Sequence, residues 1–130
     1  MALAFGRTLF AAIATTTINA AATAVSAEND GGNNTLFDQG RLYLTVTGFA
    51  AAPTGNMQIG LHPLHTSSGT VFDSSPNYAI FTVSADAQYD FSVIVLGIPE
   101  FFLVAVFNNT NQNTDASAAS AWLEYTKVTA

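Results

Sequence analysis

The run Leu96-Gly97-Ile98-Pro99-Glu100-Phe101-Phe102-Leu103-Val104-Ala105-Val106-Phe107-Asn108-Asn109-Thr110 constrains the fold more than any other part of the chain. One apolar strand enters a Gly-Ile-Pro corner, and a second leaves it and stops at an Asn-rich turn. Pro99 has no backbone donor and a fixed φ, so it separates two strands instead of lying inside one. No side chain here carries chemistry. The segment is scaffold, and it commits this half of the chain to β-structure.

The same pattern extends through the rest of the chain. Leu42, Leu44 and Val46 alternate with Tyr43, Thr45 and Thr47, the signature of a half-buried strand. Met57, Ile59 and Leu61 form the next inward row, after a loop over residues 48–56 that holds Pro53 and Gly55. Residues 62–76 are turn-rich, and residues 79–84 form a short strand with Phe81 and Val83 on one face. The strand over residues 89–96 alternates at first and ends apolar on both faces, which predicts a central position. Residues 102–107 are apolar throughout and also read as central. Residues 119–128, with Trp122 and Tyr125, close the domain. The expectation is an all-β chain: an antiparallel β-sandwich or jelly roll of about seven to eight strands.

The first 36 residues read differently. Leu9-Phe10-Ala11-Ala12-Ile13-Ala14 after Arg7, with Val25-Ser26-Ala27, imitates a secretory signal, but Thr15-Thr16-Thr17 and Asn19 interrupt it. The same interruption argues against a membrane span, which takes about 20 predominantly apolar residues. The reading that remains is an arm over residues 1–36 joined to a β-sandwich domain over residues 37–130. The arm is extended or partly helical, with a short helix over residues 2–14 and strand character over residues 18–27. Residues 28–34, rich in Gly and Asn, form its linker.

Composition removes whole classes of function. The chain has 130 residues and no cysteine, so one domain is expected, without thiolate chemistry or disulfides. Charged residues make up 9% and hydrophobic ones 49%, against about 25% charged in ordinary soluble domains. A surface so poor in charge suits a subunit of an assembly. The net charge is -6, and Arg7, Arg41 and Lys127 are the strong bases. Neutralising nucleic-acid phosphates takes several bases on one face, so nucleic acid is not an expected partner.

No catalytic constellation stands out, and the chain is not expected to be an enzyme. His62 and His65 are the histidines; their spacing on an extended chain, with Pro63 between, does not converge on a metal. Asp86 and Asp90 flank a turn in the manner of solvated carboxylates, not of a glycosidase pair. Asn33-Asn34-Thr35 and Asn108-Asn109-Thr110 match the glycosylation sequon, and Glu28 and Asp30 with nearby Asn fit no calcium loop. No cofactor and no metal are expected.

From Arg41 to Val128 the chain resembles a family of small structural proteins encoded in tailed-phage genomes. An early strand, Leu42-Tyr43-Leu44-Thr45-Val46-Thr47, leads to Ala52-Pro53-Thr54-Gly55-Asn56. Then come the segment from Met57 to Tyr78, the corner Gly97-Ile98-Pro99, the strand ending Asn108-Asn109-Thr110, and the stretch Asp115-Ala116-Ser117-Ala118-Ala119-Ser120 before a last strand. The order and spacing of these motifs carry the resemblance. It implies a virion protein of the capsid decoration or cement type on the outer capsid surface. Its implied partners are the major capsid protein and further copies of itself, as a trimer; neither nucleic acid nor membrane is implied.

Candidate assembly contacts are Leu9, Phe10, Ile13 and Ile18 on the arm, and Phe49, Phe72 and Tyr78 in or beside loops. Two alternatives stand beside the cement reading. One is a glycan- or host-surface-binding module using aromatics around residues 72–78. The other is a filament subunit assembled through its N-terminal arm.

Overall fold

The computed structural model describes residues 2–10, 13, 17–25, 37–63, 79–96 and 102–129. Their strands are β1 (Ala2–Leu9), β2 (Thr23–Val25), β3 (Phe37–Val46), β4 (Gly55–Pro63), β5 (Ala79–Val83), β6 (Tyr89–Leu96), β7 (Phe102–Thr110) and β8 (Ala119–Thr129). They form two four-stranded antiparallel sheets, ordered β1-β8-β3-β6 and β2-β7-β4-β5. The all-β sandwich expected from the sequence is therefore present.

Its topology selects between the two expected variants. The partnerships β1·β8, β2·β7, β3·β6 and β4·β5 are nested, each enclosing the next along the chain. A long antiparallel ribbon gives this pattern when it is rolled up, and the β8·β3 and β7·β4 pairings join successive laps. This is the jelly-roll wrap.

Side-chain alternation fixes which face of each sheet is dry. Leu42, Leu44 and Val46 of β3, with Ala119, Ala121 and Leu123 of β8, turn inward. Met57 and Ile59 of β4, with Val104 and Val106 of β7, face them from the other sheet in one hydrophobic cluster. An aromatic ladder bridges the sheets at one corner: Phe81 of β5 stacks on Phe91 of β6 at 4.4 Å, Phe91 on Tyr89 at 5.7 Å, and Tyr89 meets Phe49 edge-on at 6.4 Å.

Two expectations are corrected. Residues 2–9 are not helical and do not form an arm; they are β1, paired along its length with β8 from Leu9↔Trp122 to Ala2↔Thr129. Phe10, Ile13 and Ile18 are buried in the core, and β2 pairs with β7. The segment therefore belongs to the sandwich, because its apolar residues satisfy the same hydrophobic demand as those of the later strands. Residues 28–34, expected as a linker, lie outside the described residues. The second correction concerns β6, which lies at the edge of its sheet and not in the centre. Its inner row, Phe91, Val93 and Val95, packs on the core, whereas Ile94 on the other face is 57% exposed. By contrast β7 lies between β2 and β4, as its apolar run predicts.

Candidate functional site

The outer face of the β1-β8-β3-β6 sheet brings charged and aromatic side chains together. The residues that alternate with the buried rows stand there in two cross-strand rows. One is Leu9–Trp122–Tyr43–Ser92 and the other is Arg7–Glu124–Arg41–Ile94. Two of the three Lys and Arg residues of an acidic chain thus flank a single carboxylate.

The polar and aromatic side chains in these rows are held by neighbours. The Arg7 guanidinium lies 4.6 Å from the centroid of the Trp122 ring, a cation–π contact. Trp122 and Tyr43 stack with centroids 5.4 Å apart and ring planes 13° from parallel. The Tyr43 hydroxyl donates to Glu124, and this bond, with smaller contributions from desolvation and the Glu124 charge, raises the phenol pKa above 10.0. Arg41 donates to Ser92 Oγ at 3.0 Å, and Thr45 Oγ1 donates to Asp90 Oδ1 at 2.8 Å. Beside the rows runs an open groove of about 340 Å³, lined by Arg41, Tyr43, Ile94, Glu124, Tyr125 and Thr126. Gly6 and Gly40 border it and add no side chain to fill it. Donors, acceptors and aromatic faces converge there. Among the described residues no group of three or more His, Cys, Asp or Glu is placed to hold a metal ion.

The residues singled out as assembly contacts are placed very differently. Leu9 is 58% exposed and faces outward beside Trp122. Phe10, Ile13, Ile18 and Phe49 are core residues, so they offer no surface to a partner in this fold. Phe72 and Tyr78 lie outside the described residues. Among the described residues the exposed large apolar side chains besides Leu9 are Val25, Ile80 and Ile94. Val25 and Ile80 stand on the outer face of the β2-β7-β4-β5 sheet, opposite the parity of the buried Ala79–Val83 and β7 rows. Strand parity was the signal that could have found them; it required knowing which row is buried.

Other sequence candidates serve the scaffold. Asp86 accepts the Phe49 backbone N–H at 2.8 Å, and Asp90 also accepts from Gln88 at 3.3 Å. His62 is buried in β4. His65, Glu28, Asp30 and the sequon at Asn33 lie outside the described residues. The sequon at Asn108 is a structural tie: its buried Nδ2 donates to Ile18 O at 2.9 Å and Gln112 O at 2.8 Å, and Oδ1 accepts from Thr110 Oγ1 at 2.7 Å. The surrounding turn binds the same N-terminal stretch. Thr114 Oγ1 accepts Ile18 N–H at 2.9 Å, Asn113 Oδ1 accepts Ala20 N–H at 2.8 Å, and Ala21 N–H reaches Asn108 O at 2.8 Å.

No protein-family model matches the chain, and no curated protein sequence matches it. Solved structures do. One is a Clostridium thermocellum chain carrying CBM22-1 and GH10 modules of endo-1,4-β-D-xylanase 10B, complexed with xylohexaose: TM-score 0.55, 8% identity, over 97% of this chain and 25% of that one. The chain thus spans a quarter of that protein's length. A second is a chain of the tomato aspermy virus structure: TM-score 0.54, 7% identity, over 95% of this chain and 76% of that one. A Bacillus endospore appendage of the disulfide-linked pilus type aligns over 98% of this chain and 89% of its own at TM-score 0.42 and 14% identity. What the xylanase and virus chains share with this one is the fold: a β-sandwich module.

Proposed function

We propose that the chain is a non-catalytic virion structural protein of the decoration or cement type. It binds the outer surface of a capsid shell and stabilises it by bridging neighbouring major capsid subunits. What supports this reading is where the motifs that carry the resemblance to small virion proteins fall on the jelly roll. Leu42 to Val46 lies in β3, Ala52 to Thr54 in the connection to β4, Asn108-Asn109-Thr110 at the end of β7, and Asp115 to Ala118 in the turn that starts β8. The corner Gly97-Ile98-Pro99 lies outside the described residues. The wrap shared with a tomato aspermy virus chain supports the same reading.

The surface suits that role. Leu9 and Ile94 give one outer face apolar contacts, and Val25 and Ile80 give them to the other, so the module has docking chemistry on both sides. Its two described arginines flank Glu124 and form no basic patch for nucleic acid. Trimerisation, which the resemblance implies, would multiply weak contacts with the shell.

The test is co-sedimentation of the full chain with capsid shells stripped of it. Saturable binding, weakened by Ile80→Glu or by Ile94→Glu, is expected and would identify the docking face. An absence of binding to the shells would overturn the reading.

A further inference from the structure

We propose that the groove on the outer face of the β1-β8-β3-β6 sheet is a saccharide-binding site. It takes a short uncharged oligosaccharide, with an apolar sugar face against Tyr43 and Ile94 and adjacent hydroxyls on Glu124 and Arg41.

A sugar ring presents a C–H face and a rim of hydroxyls, each both donor and acceptor. A site for it needs an aromatic or aliphatic wall beside a fixed acceptor and a fixed donor. The groove has these elements. Tyr43 and Ile94 line it, and Glu124 and Arg41 are directly opposed across β8 and β3. Thr126 adds a hydroxyl. Its volume of about 340 Å³ lies at the small end for ligand sites, which suits a short ligand.

The groups are held in place before any ligand arrives. Arg7, Trp122 and Tyr43 form one stack, so Tyr43 is braced from the side. The Tyr43 hydroxyl orients the Glu124 carboxylate, and Ser92 orients Arg41. Spare capacity remains: a carboxylate has about four acceptor sites and a guanidinium five donors, of which these contacts use one each. Such bracing lowers the ordering cost of binding.

Charge decides the class of ligand. Glu124 between two arginines leaves the row with a single uncompensated positive charge, while the chain as a whole carries -6, so a polyanion is not favoured. A purely apolar ligand would bury the remaining acceptor and donor sites of Glu124 and Arg41 unsatisfied, at a cost. A neutral polyol satisfies both. On a particle the site faces the medium when the shell is met by the opposite sheet, through Val25 and Ile80.

Trp122 is the chain's only tryptophan and stacks on Tyr43, so its emission reports on this face. The full chain is titrated with neutral gluco-, xylo-, galacto- and chito-oligosaccharides, followed by Trp122 fluorescence and by backbone amide shifts. At least one series should give saturable changes at Trp122 and at Gly6, Gly40 and Thr126. Glu124→Gln and Tyr43→Ala should each weaken binding about tenfold or more, and Ile80→Ala on the opposite sheet should leave it unchanged. Glu124→Gln keeps the shape of the side chain, so it remains informative if Tyr43→Ala unfolds. No shift with any series, binding indifferent to Glu124→Gln, or binding only of anionic sugars would each overturn the proposal. Shell co-sedimentation of Glu124→Gln, measured in parallel, separates failure of this site from failure of the cement reading.

Discussion

Asn108 and Ile18 are joined by a buried hydrogen bond of 2.9 Å that links positions 90 residues apart in sequence. The same amide also serves Gln112 O and Thr110, so one side chain fastens the N-terminal stretch to the end of β7. Asn108→Ala would strand two carbonyls and leave a cavity, at a cost of about 2–4 kcal/mol. Asn108→Asp should be at least as harmful, since it sets an oxygen against Ile18 O and Gln112 O. Thermal unfolding checks both; a shift within error for either would show that the tie is dispensable.

Gly6 faces Tyr125 across the β1–β8 pairing, and a Cβ on Gly6 would overlap the Tyr125 ring. Gly6→Ala is therefore expected to destabilise the fold by about 1–3 kcal/mol. In a Tyr125→Ala background the same change should cost far less. A double-mutant cycle measures the coupling, and additive effects would refute the contact.

Two tyrosines should titrate in opposite directions. Tyr43 ionises above 10.0 because its proton is held by Glu124; Tyr89 ionises below 10.0 because its oxygen accepts the Ser84 and Ala85 N–H groups at 3.2 and 3.0 Å. For Tyr43 the folded midpoint is raised. Its stabilising contribution is complete below the unfolded midpoint and is lost as pH rises through the folded one. For Tyr89 the sign reverses: the contribution is present above the unfolded midpoint and lost as pH falls through the folded one. Ultraviolet difference titration should show Glu124→Gln lowering the Tyr43 midpoint while Tyr89 stays put. An unmoved Tyr43 would contradict the assigned cause.

Backbone conformation gives a further contrast. Gly55 has φ 134°, and a Cβ there would collide with the Asn109 carbonyl, so Gly55→Ala should cost about 2 kcal/mol or more. Ala21 has φ 61° without being glycine, and Ala21→Gly should stabilise by up to about 1 kcal/mol. Denaturant midpoints of the two variants should move in opposite directions; movement in the same direction would refute the argument.

The strands from β3 onward are legible in the sequence because Leu42, Leu44, Val46, Met57, Ile59, Val104 and Val106 carry the period of a pleated, half-buried chain. β1 is not, for a physical reason. Leu9 is apolar yet stands on the outer face, and Gly6, of the opposite parity, carries no side chain, so alternation does not mark the inward row. Gly6, a poor helix former, was the available hint against a helix. The edge position of β6 was hidden as well, since Ile94 reads like its half-buried neighbours Val93 and Val95. The groove is assembled from β1, β8, β3 and β6, so Arg7, Arg41, Tyr43 and Glu124 meet only through pairings that no local pattern encodes.

The nested wrap also sets the order in which the molecule can be finished. β8 lies between β1 and β3, and its pairing with β1 joins Ala2 to Thr129. During synthesis both of those strands must wait for the residues emerging after position 118, with their hydrogen-bonding edges open. Loop-closure entropy over such distances makes folding slow and leaves nascent chains prone to wrong pairing. β8 thus acts as the latch of β1, so nonsense or frameshift lesions within residues 119–129 should be nearly as damaging as those in β4 or β5.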